Sequence, residues 1–306
     1  MIINVFDLSK WYGQIIAVNN LTFSIDPGVT GFLGPNGAGK TTLMRMLIGQ
    51  LKPSQGTLTI DGEAIWNNHT LMRRIGYCPE QDAFWQYLTG LDFVHALIQM
   101  HGFSTEKAME KAVMAIRLVD MEKDMHRRIG SYSKGMRQRI KLAQAIAHDP
   151  DILFLDEPLN GLDPMGRHQI MQLIKDLGNR GKIVVVSSHI LHEVEAMTDN
   201  ILLINHGRLL AQGTIYDIRQ LIDTHPLQVT IRCDQVDRLT ACLMAFEDVL
   251  SVQFNREKNQ VTVETNQPEL FHQRLPELAL KENLKISSLW SPDENLDAIF
   301  DYLVGG

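Results

Sequence analysis

Gly34-Pro35-Asn36-Gly37-Ala38-Gly39-Lys40-Thr41, followed by Thr42, has the spacing G-x-x-x-x-G-K-[ST]. Glycines at those positions let successive backbone N–H groups point inward around phosphate oxygens. A helix beginning at Lys40 adds partial positive charge from its N-terminus. Lys40 supplies a full charge to β- and γ-phosphates, and the Thr41 hydroxyl is a ligand for Mg²⁺. A second constellation is the apolar run Ile152–Leu155, which leads directly into Asp156 and Glu157. A buried parallel strand ending this way puts both carboxylates at the carboxyl edge of its sheet, where such folds bind ligands. Asp156 suits Mg²⁺, through water, and Glu157 suits polarisation of an attacking water. Phosphoryl transfer needs charge neutralisation and a positioned nucleophile, and these groups with Lys40 supply both.

The elements around them follow from periodicity. Asn4–Ser9, Leu21–Ile25, Val29–Gly34 and Thr57–Ile60 read as strands, punctuated by Pro27-Gly28 and Asp61-Gly62. Lys40–Gly49 reads as a helix. Residues 88–148 are mostly helical in pattern, broken at Gly102 and at Gly130–Ser133. Ile152–Leu155 and Ile183–Val186 are continuous apolar runs of strand length, suited to a sheet covered on both faces. Ile201–Ile204 and Arg208–Gln212 resemble a hairpin around His206-Gly207.

Asp223–Pro226 is a candidate linker. Beyond it the pattern restarts with strand Gln228–Cys233, helix Gln235–Phe246 and strands Leu250–Asn255 and Val261–Thr265. Helix Glu269–Lys281, strand Lys285–Leu289 and helix Glu294–Leu303 complete it. That βαββαβ order predicts a small α+β domain of ferredoxin-like type. The predicted division is 1–222 for a nucleotide-binding domain, with a helical subdomain at about 82–148, and 226–306 for an accessory domain.

The 306 residues are 44% hydrophobic and 21% charged, which fits folded domains with sizeable cores and excludes a disordered or collagen-like chain. The net charge is −7, and residues 226–306 carry 13 acids against 7 bases, so no nucleic-acid partner is expected. Arg127, Arg128, Lys134, Arg137, Arg139 and Lys141 form a local basic cluster, readable as a solvated helix face or as phosphate-binding. No apolar run approaches the ~20 residues of a membrane span, and no secretory leader is visible. Cys78, Cys233 and Cys242 are isolated and read as reduced cytosolic thiols.

With these motifs the sequence resembles the nucleotide-binding subunits of ABC transporters over about residues 3–220. The matching stretches, in family order, are Tyr12, the loop Gly34–Thr42, Tyr132-Ser133-Lys134-Gly135-Met136, Leu155-Asp156-Glu157-Pro158, Asn160-Gly161-Leu162-Asp163 and Ser188-His189. Within the family it is most similar to the ATPases of ABC-2-type exporters, whose typical ending is matched by Asn295-Leu296-Asp297-Ala298-Ile299-Phe300. The resemblance implies an α/β fold: a P-loop NTPase domain of ABC type with a helical subdomain. It also implies ATP and Mg²⁺ as ligands, a second ATP-binding subunit and a separate integral membrane permease. The expected location is the cytoplasmic face of the cell membrane, as a peripheral subunit.

Residue roles follow from the same resemblance. Tyr12 corresponds to the adenine-stacking aromatic, against the alternative of a core aromatic beside Trp11. Ser133, with Gly135, corresponds to the signature that reaches the γ-phosphate held by the partner subunit, and Ser133 is also a good N-cap. Asp163 corresponds to the loop coupling the two sites, or is a helix cap before Pro164. His189 corresponds to the switch histidine at the γ-phosphate.

Two departures stand out. Lys134 replaces the first signature glycine, either as a cation beside bound phosphate or as a solvated first-turn lysine. In Tyr77-Cys78-Pro79-Glu80-Gln81 the expected glutamine position holds Glu80, with Gln81 one place later; either offers an oxygen to Mg²⁺ and water. Phe84, Trp85, Tyr87 and Leu88 line a docking groove for the membrane subunit or belong to the helical core.

The functional expectation is an ATP-binding, ATP-hydrolysing subunit that powers a separate exporter permease. Two rivals are a soluble ABC ATPase acting outside transport and a module that senses ATP without turnover. The first lacks a coiled-coil insertion or tandem module here, and Glu157 and His189 argue against the second.

Overall fold

The computed structural model describes residues 1–220 and 226–291. The chain divides into two compact units, Met1–Ile215 and Tyr216–Gly306. The candidate linker falls largely outside the described residues. The terminal helix expected at Glu294–Leu303 and the family-like ending Asn295–Phe300 fall wholly outside them.

The first unit opens with strands β1 (Ile3–Tyr12), β2 (Ile15–Ile25) and β3 (Gly28–Leu33), then helix α1 (Lys40–Leu47). Strands β4 (Gln55–Ile60) and β5 (Glu63–Ala64), helix α2 (His69–Met72) and strand β6 (Ile75–Cys78) follow. A helical stretch holds α3 (Gly90–Met100), α4 (Thr105–Leu118) and α5 (Lys134–Ile146). The unit continues through β7 (Ile152–Asp156), α6 (Pro164–Asn179), β8 (Ile183–Ser188), α7 (Leu191–Glu195), β9 (Asn200–Asn205) and β10 (Arg208–Thr214).

An antiparallel sheet has the order β2-β1-β4-β5. The principal sheet has the order β10-β9-β3-β8-β7-β6, parallel except for the edge strand β10. The continuous apolar runs are explained by two-sided burial. Ile152 and Phe154 of β7, with Ile183 and Val185 of β8, face a core shared with β1, β2 and α1. The alternating Leu153, Leu155, Val184 and Val186 face a second core shared with the helices. Helices α3 to α6 start on side-chain caps: Thr89 on α3, Ser104 on α4, Ser133 on α5 and Asp163 on α6, where Pro164 takes the first turn.

The consequence for function is positional. β3, β8, β7 and β6 lie side by side and point the same way. The segments that leave their carboxyl ends are the glycine loop, His189, Asp156-Glu157 and Pro79-Glu80.

Helix α8 (Ile215–Gln220) begins at the last residue of the first unit, and the second unit goes on with β11 (Leu227–Cys233), α9 (Val236–Leu243), β12 (Val249–Asn255), β13 (Gln260–Thr265), α10 (Pro268–Lys281) and β14 (Ile286–Trp290). The four strands form an antiparallel sheet of order β12-β13-β11-β14. Val229, Ile231, Val261 and Val263 pack beneath Leu239 and Leu243 of α9 and Phe271 and Leu275 of α10. No described helix is long and apolar enough to cross a membrane.

Candidate functional site

The turn from β3 into α1 has the backbone a phosphate cradle requires. Gly37 and Gly39 have φ of 84° and 101°. A Cβ on Gly39 would lie 2.4 Å from Ala17 O, so both conformation and space demand glycine there. Lys40 is buried, and its Nζ donates to Gly34 O at 2.7 Å and to Pro35 O at 3.2 Å, folding the lysine back over the loop. Burial lowers its pKa, partly opposed by the nearby charges of Glu157, Asp156 and Glu80. Thr41 Oγ1 lies 3.1 Å from Asp156 Oδ2, so the first turn of α1 meets the end of β7.

Asp156 is buried, and its Oδ1 accepts a 2.5 Å hydrogen bond from Ser187 Oγ on β8. The same hydroxyl accepts the Glu157 N–H at 3.0 Å. Glu157 has a φ of 50°, a left-handed conformation uncommon outside glycine, which turns its side chain away from the line of the strand. Its carboxylate meets His189 Nδ1 at 2.9 Å and 3.0 Å through its two oxygens. Because a carboxylate only accepts, this pairing puts a proton on Nδ1. Burial raises the Glu157 pKa, moderated by the His189 hydrogen bond and by the charges of His189 and Lys40. Lys40, Thr41, Asp156, Glu157 and His189 therefore form one site. Thr41 and Asp156 present adjacent hard oxygens, the donor type Mg²⁺ takes alongside phosphate and water.

The remaining predicted residues flank this centre. Ser133 Oγ accepts the Met136 N–H at 3.2 Å and so caps α5. Lys134 is exposed in the first turn of α5, as the solvated reading expects; its stem also lies over Gly161 and its Nζ donates to Asn160 Oδ1 at 3.0 Å. Gly135 sits close against the Gly161 carbonyl, where a Cβ would come within 3.0 Å. Asp163 accepts the Gly166 N–H at 3.0 Å, so the capping geometry is present. The Glu80 carbonyl accepts a 2.7 Å hydrogen bond from buried Lys141, while the side chains of Glu80 and Gln81 are exposed. Tyr12 is 47% exposed with Lys10 Nζ 5.5 Å from its ring centre, which removes the core reading of that residue.

The aromatic run divides. Phe84 and Leu88 pack against the helical core, with Phe84 edge-on to Phe93 at 5.1 Å, whereas Trp85 and Tyr87 remain exposed. A cleft beside them is lined by Asp82, Phe84, Gln86, Ile129, Gly130 and Arg137.

Sequence reasoning missed Ser187, the link between the two acidic residues. The available signal was a polar residue ending an otherwise apolar strand. It also missed Arg167, whose Nε donates to Leu162 O at 3.2 Å and whose Nη1 donates to buried Glu193 at 2.7 Å. That pair ties the Asn160–Asp163 loop to the helix after His189.

A phosphate loop, an acidic strand end and a histidine on adjacent parallel strands define a P-loop nucleoside-triphosphatase cassette. The model of the ABC transporter family matches residues 18–160. A daunorubicin/doxorubicin resistance ATP-binding protein of Streptomyces peucetius is 30% identical over 97% of this chain and 91% of its own length. A bacitracin transport ATP-binding protein of Bacillus licheniformis is 37% identical over 69% of each chain. A solved ATP-binding subunit of an ABC transporter, 27% identical, superposes with a TM-score of 0.67 over 72% of this chain and 93% of its own. A dimeric bacterial ABC transporter cassette, 26% identical, gives 0.65 over 69% and 98%. The chain belongs to the ABC transporter family, as one of its ATP-binding ATPase cassettes.

Proposed function

We propose that this chain is the ATP-hydrolysing subunit of an ABC-2-type exporter, acting on a separate membrane permease at the cytoplasmic face of the membrane. Two subunits, identical or paralogous, close head-to-tail over two ATP molecules with Mg²⁺. The observation that carries the proposal is the joining of Lys40, Thr41, Asp156, Glu157 and His189 in one site. Full-length similarity to a drug-resistance ATP-binding protein supports export.

In this reading the Gly34–Thr42 loop cradles the phosphates, and Lys40 exchanges its carbonyl partners for β- and γ-phosphate oxygens. Thr41, and Asp156 through water, would hold Mg²⁺, whose charge would offset that of the phosphates. Glu157 accepts a proton from the attacking water. His189 steadies that carboxylate through Nδ1, leaving Nε2 for the γ-phosphate. Ser133 and Gly135 serve the nucleotide of the partner subunit, with Lys134 beside them; Asp163 couples the sites, Tyr12 stacks on adenine, and Glu80 or Gln81 relays the permease. Residues 1–222 hold this machinery, and 226–306 form an accessory domain.

The test is affinity purification of the tagged full-length chain from its native membranes in the Glu157→Gln background with Mg-ATP. Recovery of a polytopic membrane protein together with a second ATPase subunit is expected. A chain that stays in the supernatant without any membrane protein would refute the exporter assignment.

A further inference from the structure

Glu157 holds a left-handed backbone in a non-glycine residue, a strained conformation that persists only where its surroundings enforce it. One support is Ser187 on β8, whose hydroxyl oxygen accepts the Glu157 N–H. The other comes from α5. Gln138 on that helix is 4% exposed. Its Nε2 donates to Pro158 O at 2.9 Å and lies 3.4 Å from Glu157 O. The Glu157 carbonyl also accepts the Asn160 N–H at 3.2 Å. The turn is thus gripped on one side by β8 and on the other by a buried amide.

The chemistry of the side chain matters. Two neighbouring carbonyls present only lone pairs, and a primary amide offers two N–H donors without charge. An apolar residue would leave Pro158 O short of a donor. A carboxylate would repel both oxygens, and a buried ammonium would carry a desolvation penalty.

We propose that Gln138 is a positioning residue for hydrolysis: its amide holds the Glu157–Pro158 turn so that the Glu157 carboxylate stays on His189 and faces the attacking water. This rests on the reading of Glu157 as the group that takes the proton from water. Gln138 does not touch nucleotide in this scheme. Its loss should therefore lower turnover and leave ATP binding alone.

The experiment measures Mg-ATP hydrolysis by the full-length chain across pH, with melting temperatures for every variant. Gln138→Leu keeps the shape and removes the donors. It should lower kcat about tenfold to a hundredfold, as small misplacement of a reacting group does, with the KM for ATP within about twofold of wild type. Gln138→Glu supplies the distinguishing readout. Protonated, its acid still donates one hydrogen bond to Pro158 O; ionised, it repels both carbonyls. Its activity relative to wild type at the same pH should therefore climb as pH falls, whereas that of Gln138→Leu should not.

Wild-type kcat in Gln138→Leu beside an inactive Glu157→Gln overturns the inference alone. An equal loss in both Gln138 variants at every pH, tracking melting temperature, also overturns it, because packing then accounts for the effect. Wild-type turnover in Glu157→Gln removes the reading beneath it. If Gln138→Leu does not fold, the pH response of Gln138→Glu still decides the question.

Discussion

Ser187 and Asp156 share a 2.5 Å hydrogen bond between neighbouring strands, and the same Ser187 oxygen accepts the Glu157 N–H. One hydroxyl therefore sets the position of both acidic residues. Parallel register places it there, because Asp156 is paired with Ser187 across β7 and β8. Asp156 is held ready beside Thr41 by this contact from behind.

Ser187→Ala leaves a buried carboxylate oxygen and a buried N–H each short of a partner. Stability should fall by about 1–3 kcal/mol, read by denaturant unfolding. Turnover should fall more than ATP affinity, since the displaced groups act on the metal and the water. Unchanged stability and kcat would show that the two strands hold the acids without it.

Glu157→Gln should bind ATP and turn it over very slowly, because the amide is not a base. It also has a stability signature. Burial raises the Glu157 pKa, so the folded chain binds that proton more tightly than the unfolded chain does. At neutral pH the wild type folds around a carboxylate that water would solvate better. The nucleotide-free variant should therefore melt at a higher temperature at pH 7. Its advantage should narrow as pH falls through the raised folded pKa, where the wild-type carboxyl takes up its proton. A variant that melts below wild type at pH 7 would mean that the His189 pairing outweighs burial.

Lys40→Ala removes the charge aimed at the phosphates and also the two bonds that fold the lysine over Gly34 and Pro35. Charged hydrogen bonds of about 1.5–3 kcal/mol predict at least a tenfold to hundredfold weaker ATP affinity. Titration calorimetry reads this directly. Affinity within threefold of wild type would contradict the cradle.

Much of this was legible in the sequence. The glycine loop, the apolar run into Asp156 and the βα alternation are local patterns, each set by a few neighbouring residues. β6 leaves no strand pattern in the sequence because Gly76 interrupts it. That glycine is there because the Ala145 carbonyl approaches so closely that a Cβ would lie 2.1 Å from it. α6 was hidden by Pro164, Gly166 and the polar residues of its first turns. Ser187, Gln138 and the Arg167–Glu193 pair escaped for a different reason. Their roles depend on partners 19 to 31 residues away, and separation of that kind leaves no periodic trace.

Lys134 remains the sharpest departure from the family pattern, and its contact with Asn160 changes how its substitution must be read. Lys134→Gly removes three things together: a positive charge at the start of α5, the bond to Asn160 and the stem lying over Gly161. Lys134→Met keeps an apolar stem and loses the charge and donor. If the charge aids closure over the partner's ATP, both variants should weaken ATP-driven dimerisation by about 0.5–1 kcal/mol, the modest size reflecting an exposed, screened group. Both should also flatten its dependence on salt. Monomer affinity for ATP should be unaltered in either. Sedimentation in the Glu157→Gln background, across an ATP and salt series, separates the contributions. A loss in Lys134→Gly that Lys134→Met does not share would assign the effect to the stem packed on the Asn160–Asp163 loop. Closure curves identical to the parent in both would leave the lysine as an ornament of that loop with no part in closure.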